Sequence, residues 1–308
     1  MKKLLLILSL LILSGCQPAK QATLTSATTT TFKPTFEADY NNCGNMPVTS
    51  VNSVTFGSGS DCNAGRVVSA KGYKNITQIR ATVDLSKLTS NFVVSTFYMV
   101  SNPTNPGLQP KGANYCDAGG THNEWNCQEI DFFEANKNVV LQHTMHLGDG
   151  GSTAPQRFEF SYTSSTDVCY PNLVDSPSTG LHKWNGLDVS KPVQMVVDFT
   201  TTSMKITFTQ SSVSVVVYDS SVGTGYTGSG TIDTSKLASS MANGYWLSLS
   251  MWQWDSSKQS GTPWAPGTTQ GFYNWANPPC GWGTLCSKAG SYFGVTNIEV
   301  DASGEISQ

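Results

Sequence analysis

Three carboxylates fall within six residues, Glu129, Asp131 and Glu134, in a segment that reads WNCQEIDFFEAN from Trp125 to Asn136. Two carboxyl groups that face one sugar from opposite sides can break a glycosidic bond with retention. One attacks as a nucleophile; the other donates and then accepts a proton. A third acid between them can share a proton with the nucleophile, and like-charge repulsion raises at least one pKa in such a cluster. Only 13% of the residues are charged, so three acids inside an apolar run stand out from the rest of the chain. Glu134, beside apolar Phe133, is the better candidate for a raised pKa and hence for acid/base work. The residues alone leave the assignment of the two ends open.

The element that must position these acids is a β-strand. In a regular strand positions 129, 131 and 133 share one face and 134 lies on the other, which would send a carboxylate into the core. An unpaired carboxylate there is very costly. One extra residue resolves the conflict: a β-bulge at Phe132-Phe133 returns Glu134 to the face of Glu129 and Asp131. The expectation is three acids on one concave face, with Ile130 and at least one phenylalanine in the core.

The segment CQEIDFFEAN resembles the catalytic strand of the glycoside hydrolase clan that holds families 7 and 16. In that clan Glu-x-Asp-x-x-Glu supplies nucleophile, assisting acid and acid/base in this order. The resemblance implies Glu129 as nucleophile, Asp131 as assistant and Glu134 as acid/base, on a concanavalin-like jelly roll. Glu134-Ala135-Asn136, with a cysteine two residues before Glu129, is more similar to family 7. The Glu-Ile-Asp form and a lipoprotein leader are more similar to family 16. Tyr245–Trp254 (YWLSLSMWQW) resembles a groove-lining strand of the clan, and Tyr292–Val300 (YFGVTNIEV) its closing strand. Two departures are visible: Phe97-Tyr98 stand where family 16 carries a tryptophan, and the dense disulfides of family 7 are missing.

Around the acids, His143 and His146 sit on the next expected strand, Val139–Leu147. Family 7 has a histidine at a comparable distance after its acid/base, and His146 is the candidate to join Glu134. Trp252 and Trp254 are two apart on a strand and so share a face; with Trp125, Trp264 and Trp275 they are candidates to stack on sugar rings. The stretch Asp255–Pro279 is long for a loop and holds four of the chain's fourteen prolines, which suits a wall of the groove.

The whole domain reads as all-β. Thr77–Asp84, Val193–Phe199 and Met204–Phe208 alternate apolar and polar residues. Further strands are expected at Gly65–Ala70, Phe92–Val100, Cys127–Glu134, Val139–Leu147, Arg157–Tyr162, Val213–Tyr218, Tyr245–Trp252 and Tyr292–Asp301. A short helix fits Thr234–Met241. Strands joined by turns rather than helices predict a two-sheet antiparallel β-sandwich, a jelly roll whose curved face forms a substrate groove.

The remaining features bound class and location. Lys2 and Lys3, an apolar run Leu4–Leu13 and then Leu13-Ser14-Gly15-Cys16 make an export signal with a sequence similar to the bacterial lipobox, too short to span a bilayer. The expected division is 1–16 as lipoprotein signal, 17–35 as a flexible Thr-rich tether and 36–308 as the folded domain. Cys16 would carry lipid and hold the protein on the cell envelope, at an outer membrane if the host has one. Export makes disulfides expected for the seven other cysteines. Proximity favours Cys43–Cys62, Cys116–Cys127 and Cys280–Cys286, leaving Cys169. No zinc-type spacing occurs, so neither a metal nor another cofactor is expected. A net charge of −3 without a basic stripe argues against nucleic acid. A neutral, hydroxyl- and aromatic-rich surface suits a polysaccharide, and a monomer is expected. The leading function is a retaining β-glucan hydrolase; a surface lectin and a transglycosylase on the same fold are the alternatives.

Overall fold

The computed structural model describes residues 28–41, 47–57, 65–87, 93–102, 106–114, 127–135, 140–147, 157–161, 173–176, 181–184, 187–188, 190–219, 234–253 and 292–307. The first strands in chain order are β1 (Thr30–Phe32), β2 (Phe36–Asn41), β3 (Val48–Ser50), β4 (Ser53–Phe56), β5 (Gly65–Ser69), β6 (Gly72–Lys74) and β7 (Gln78–Asp84). They are followed by β8 (Val93–Ser101), β9 (Gln128–Ala135), β10 (Val140–Leu147), β11 (Arg157–Ser161), β12 (Leu173–Ser176), β13 (Leu181–Trp184) and β14 (Leu187–Asp188). The last are β15 (Val193–Phe199), β16 (Met204–Gln210), β17 (Val213–Asp219), the helix α1 (Thr234–Asn243), β18 (Trp246–Gln253), β19 (Phe293–Ala302) and β20 (Gly304–Ile306).

Two antiparallel sheets form the sandwich. The outer sheet runs β17-β16-β15-β7-β19-β4-β3, with β1 added against β19. The inner sheet runs β11-β10-β9-β8-β18-β5-β2 and contains the acid strand β9 at its third position. The expected all-β sandwich is therefore present, and the strands read from alternation lie where expected to within two residues.

The sheets differ in how their residues meet water. On β7 and β16 every second side chain is buried and the others are half-exposed, so the outer sheet has one apolar face toward the core and one polar face outward. On β5, and on β8, β9 and β18 over residues 95–101, 128–133 and 246–251, successive residues are all buried. Over these segments the inner sheet is enclosed on both faces, so their residues show no alternation of buried and exposed positions.

Aromatic rings tie the sheets together. Phe132 meets Phe97 edge-on at 5.1 Å and Phe199 of the outer sheet at 6.3 Å. Phe133 meets Phe293 and Phe208, both of the outer sheet, at 5.8 and 6.5 Å. Edge-to-face pairs at these separations add about 0.5–1.5 kcal/mol each beyond area burial.

One expectation needs correction. Thr30–Phe32 lies inside the stretch read as tether, yet it pairs with Val300–Ala302 as β1. Phe32 packs on the core and 5.6 Å from the Tyr73 ring. The surrounding Thr-rich composition hid three residues whose ladder partners are more than 260 positions away.

The same corner holds a charge network. Arg80 grips Asp301 with both ends of its guanidinium, at 2.6 and 3.0 Å, and reaches Glu299 at 3.2 Å. Thr31 donates to Asp301 at 2.6 Å and so fastens β1 to it. The Arg80 hydrogen bond, ahead of partial burial that opposes it, holds the Asp301 carboxyl below its ordinary value of 3.8. A depressed carboxyl contributes stability that is complete above that ordinary value and is lost as acid titrates through the lowered one. Asp301→Asn should therefore cost about 0.5–1 kcal/mol at neutral pH. Its thermal midpoint should fall less steeply than wild type below about pH 4, as read by circular dichroism melts across a pH series.

Candidate active site

The bulge expected in the acid strand is present in both of its pairings. Against β8, Phe97 faces Phe133 while the next residue, Tyr98, faces Asp131, so Phe132 is an extra residue. Against β10, Gln142 faces Glu134 and Thr144 faces Asp131, two residues answering three. Phe132 and Phe133 are both fully buried in the core, as is Ile130. Two consecutive core residues on one strand require such a break in alternation.

The register arranges the opposite face of the inner sheet into rows. Glu129 stands between Val100 and His146. Asp131 stands between Tyr98 and Thr144, and position 134 between Thr96 and Gln142. Cross-strand partners share a face, so the three acids occupy three successive rows of one face. Glu129 is 7% exposed and Asp131 3%. Both are more enclosed than an open trough would leave them. Carboxylates so far from water are costly unless they are paired or hydrogen-bonded.

The histidine expectation changes. His146 does lie on the acid-bearing face, but its register partner is Glu129, not Glu134. Gln142 and Thr96 are the residues opposite Glu134. His143 pairs with Phe160 and belongs to the other face with buried Met145. The reason is the register of the β9–β10 hairpin: with Glu129 opposite His146, Glu134 lies nearer the turn, and the bulge shifts its partner by a single residue, to Gln142.

Trp252 pairs with Val94 and lies on the acid-bearing face, one row beyond Thr96 and Ser250. Trp125, Trp254, Trp264, Trp275 and Cys16 fall outside the described residues. Cys127 is buried with Tyr98 and Val100 on the acid side of the sheet. The other cysteines for which pairing is expected also fall outside. Among the described residues no group of three or more His, Cys, Asp or Glu could hold a metal ion.

A cluster that the sequence reading missed completes this face. Arg66 is fully buried on β5 and forms a 2.9 Å ion pair with Asp39 of β2, whose side chain is 2% exposed. Its Nη1 also donates to the Pro110 carbonyl at 3.1 Å, and its Nη2 to Ser248 Oγ at 3.2 Å. The guanidinium lies 5.6 Å from the centre of the Tyr98 ring. The available signal was a single arginine inside the otherwise apolar or small run GRVVSA (65–70), where a charge must find a buried partner.

The bulge has a direct stability test. Phe132→Ala should cost about 3–5 kcal/mol, since it empties a fully packed site. Phe132→Leu should cost less than half as much, because it keeps most of the volume. Urea unfolding followed by tryptophan fluorescence would measure both. Equal small losses would mean that the extra residue is not anchored by its ring.

No family profile matches the chain, and no curated protein matches it in sequence. Solved structures do match its fold. A GH7 family cellobiohydrolase from Daphnia pulex superposes with a TM-score of 0.50 at 16% identity, over 82% of this chain and 79% of that one. The endocellulase EGI of Humicola insolens gives 0.48 at 14% identity, over 82% and 76%. LamAcat of Zobellia galactanivorans gives 0.45 at 11% identity, over 88% and 92%. At 16% identity the likeness to the GH7 family cellobiohydrolase shows a shared fold and nothing further.

Proposed function

We propose that this chain is a retaining glycoside hydrolase acting on a β-linked glucan. The observation that carries the reading is the bulge that sets Glu129, Asp131 and Glu134 in successive rows of one sheet face. The fold shared with a cellobiohydrolase supports the substrate class.

In the first step Glu129 attacks the anomeric carbon while Glu134, protonated, gives its proton to the departing glycosidic oxygen. Glu134 then takes a proton from water, which displaces Glu129 from the sugar. Rows one and three of the face are about 13 Å apart along the strand, at about 3.3 Å per ladder residue. Retention requires carboxyls about 5–5.5 Å apart, so the glutamates must lean toward the middle row. Asp131 occupies that row. A proton held between Asp131 and Glu129 lets one of the pair stay neutral until attack. His146, opposite Glu129, would orient the nucleophile rather than the acid. Trp252, Trp125, Trp254, Trp264 and Trp275 are the residues proposed to stack on sugar rings.

The leader and lipobox support export, disulfide formation and attachment to the envelope through lipid on Cys16. Cys16→Ser should move the protein from the detergent fraction to the aqueous one in Triton X-114 partitioning. Partitioning identical to wild type would remove the anchor from the reading.

Catalysis is tested by reducing-end release from laminarin, mixed-linkage glucan, carboxymethylcellulose, agarose and xyloglucan. Glu129→Gln and Glu134→Gln should each lower kcat by more than about 1,000-fold while leaving the melting profile intact. Residual activity within about tenfold of wild type in either variant would show the roles to be misassigned. Binding without release would point to a lectin, and products longer than the substrate to a transglycosylase.

A further inference from the structure

A buried charge on the acid-bearing face is held by partners from three separate segments. Arg66 is 0% exposed, and its terminal nitrogens are engaged by Asp39, Pro110 and Ser248. Asp39 is itself fixed, since its second carboxylate oxygen accepts the Gly112 N–H at 2.8 Å. These contacts join the edge strand β2, the segment 106–114 and the central strand β18 to one guanidinium. A side chain so enclosed does not meet a substrate. It can hold a neighbour, and the neighbour under its face is the Tyr98 ring.

Tyr98 is 3% exposed and is the β8 partner of Asp131. Directly opposed residues on one face have Cβ atoms about 4.5–5.5 Å apart, so the orientation of the Tyr98 ring sets the space available beside Asp131. Strand geometry does not choose that orientation, because two χ1 wells are common in strands. A cation over the ring face, fixed from three sides, selects one.

We propose that Arg66, oriented by Asp39, is a positioning residue for the acid strand: it clamps the Tyr98 ring as the back wall of Asp131, the middle acid. This inference rests on the glycosidase reading above. Asp39 neutralises the guanidinium, so the effect on Asp131 is one of position rather than of net charge. Lysine cannot replace the planar fork, since a single ammonium cannot span Asp39, Pro110 and Ser248 in the same geometry.

The test uses the full chain and whichever glucan the wild type cleaves, with variants Arg66→Met, Arg66→Lys, Tyr98→Leu, Tyr98→Phe and the double Arg66→Met/Tyr98→Leu. Arg66→Met and Tyr98→Leu should each lower kcat about tenfold with KM within about twofold, and displace the acidic limb of the kcat–pH profile. Tyr98→Phe, which keeps the ring, should recover most of what Tyr98→Leu loses. Arg66→Lys should recover only part of the Arg66→Met loss. The double variant should be no worse than either single, because both remove the same clamp.

A folded Arg66→Met with wild-type kcat and pH profile would overturn the proposal, as would losses that multiply in the double variant. If Arg66→Met fails to fold, the tyrosine pair decides: Tyr98→Leu with unchanged kcat and pH profile also overturns it. An active wild type with indifferent variants defeats the positioning role alone. A wild type that releases no reducing ends from any glucan defeats the glycosidase reading, and the positioning role with it.

Discussion

Two neighbouring phenylalanines that both need the core are the constraint on which the acid strand depends. A strand in regular alternation can bury one of Phe132 and Phe133, not both. The outer sheet offers Phe199 to one ring and Phe208 and Phe293 to the other, and this contact stabilises the extra residue that lets both turn inward. The geometric consequence falls on the opposite face. Position 134 comes into line with 131 and 129, although its number alone would set it on the other side. The packing of the core and the alignment of the acids are one event seen from the two sides of a sheet.

The sandwich separates two kinds of polar environment. On the outward face of the outer sheet, Arg80, Asp301 and Glu299 form a part-exposed network in which solvent competes and each contact is worth little. On the acid-bearing face of the inner sheet, Glu129, Asp131, Arg66 and Asp39 are almost wholly removed from water. Apolar replacements would pack there at lower cost, so stability does not account for these four charged residues. The proposed bond cleavage, which needs carboxyl groups held in set positions, would account for them. The enclosed face and the half-exposed face thus belong to the same fold but answer different demands.

Much of the fold could be read from local pattern. The alternation in Gln78–Asp84, Val193–Phe199 and Met204–Gln210 is the direct signature of a sheet with one wet face, and these three became adjacent strands of the outer sheet. Strand β1 could not be read this way, because Thr30–Phe32 has no alternation of its own and becomes a strand only beside Val300–Ala302. Arg66 escaped for a related reason. Its environment consists of Asp39, Pro110, Ser248 and Tyr98, which no window of neighbouring residues contains.

The amino-acid sequence by itself determined that three acids share a strand, that the strand must break its alternation at Phe132-Phe133, and that the chain builds an all-β sandwich. These follow from the two-residue period of a strand and from the cost of burying a lone carboxylate, both of which act within a few residues. Only the tertiary structure decided which residues face the acids across the ladder: His146 opposite Glu129, Gln142 and Thr96 opposite Glu134, Tyr98 opposite Asp131. Register between strands is chosen by the packing of whole sheets, and the extra residue in β9 shifts its β8 partners beyond the bulge by one.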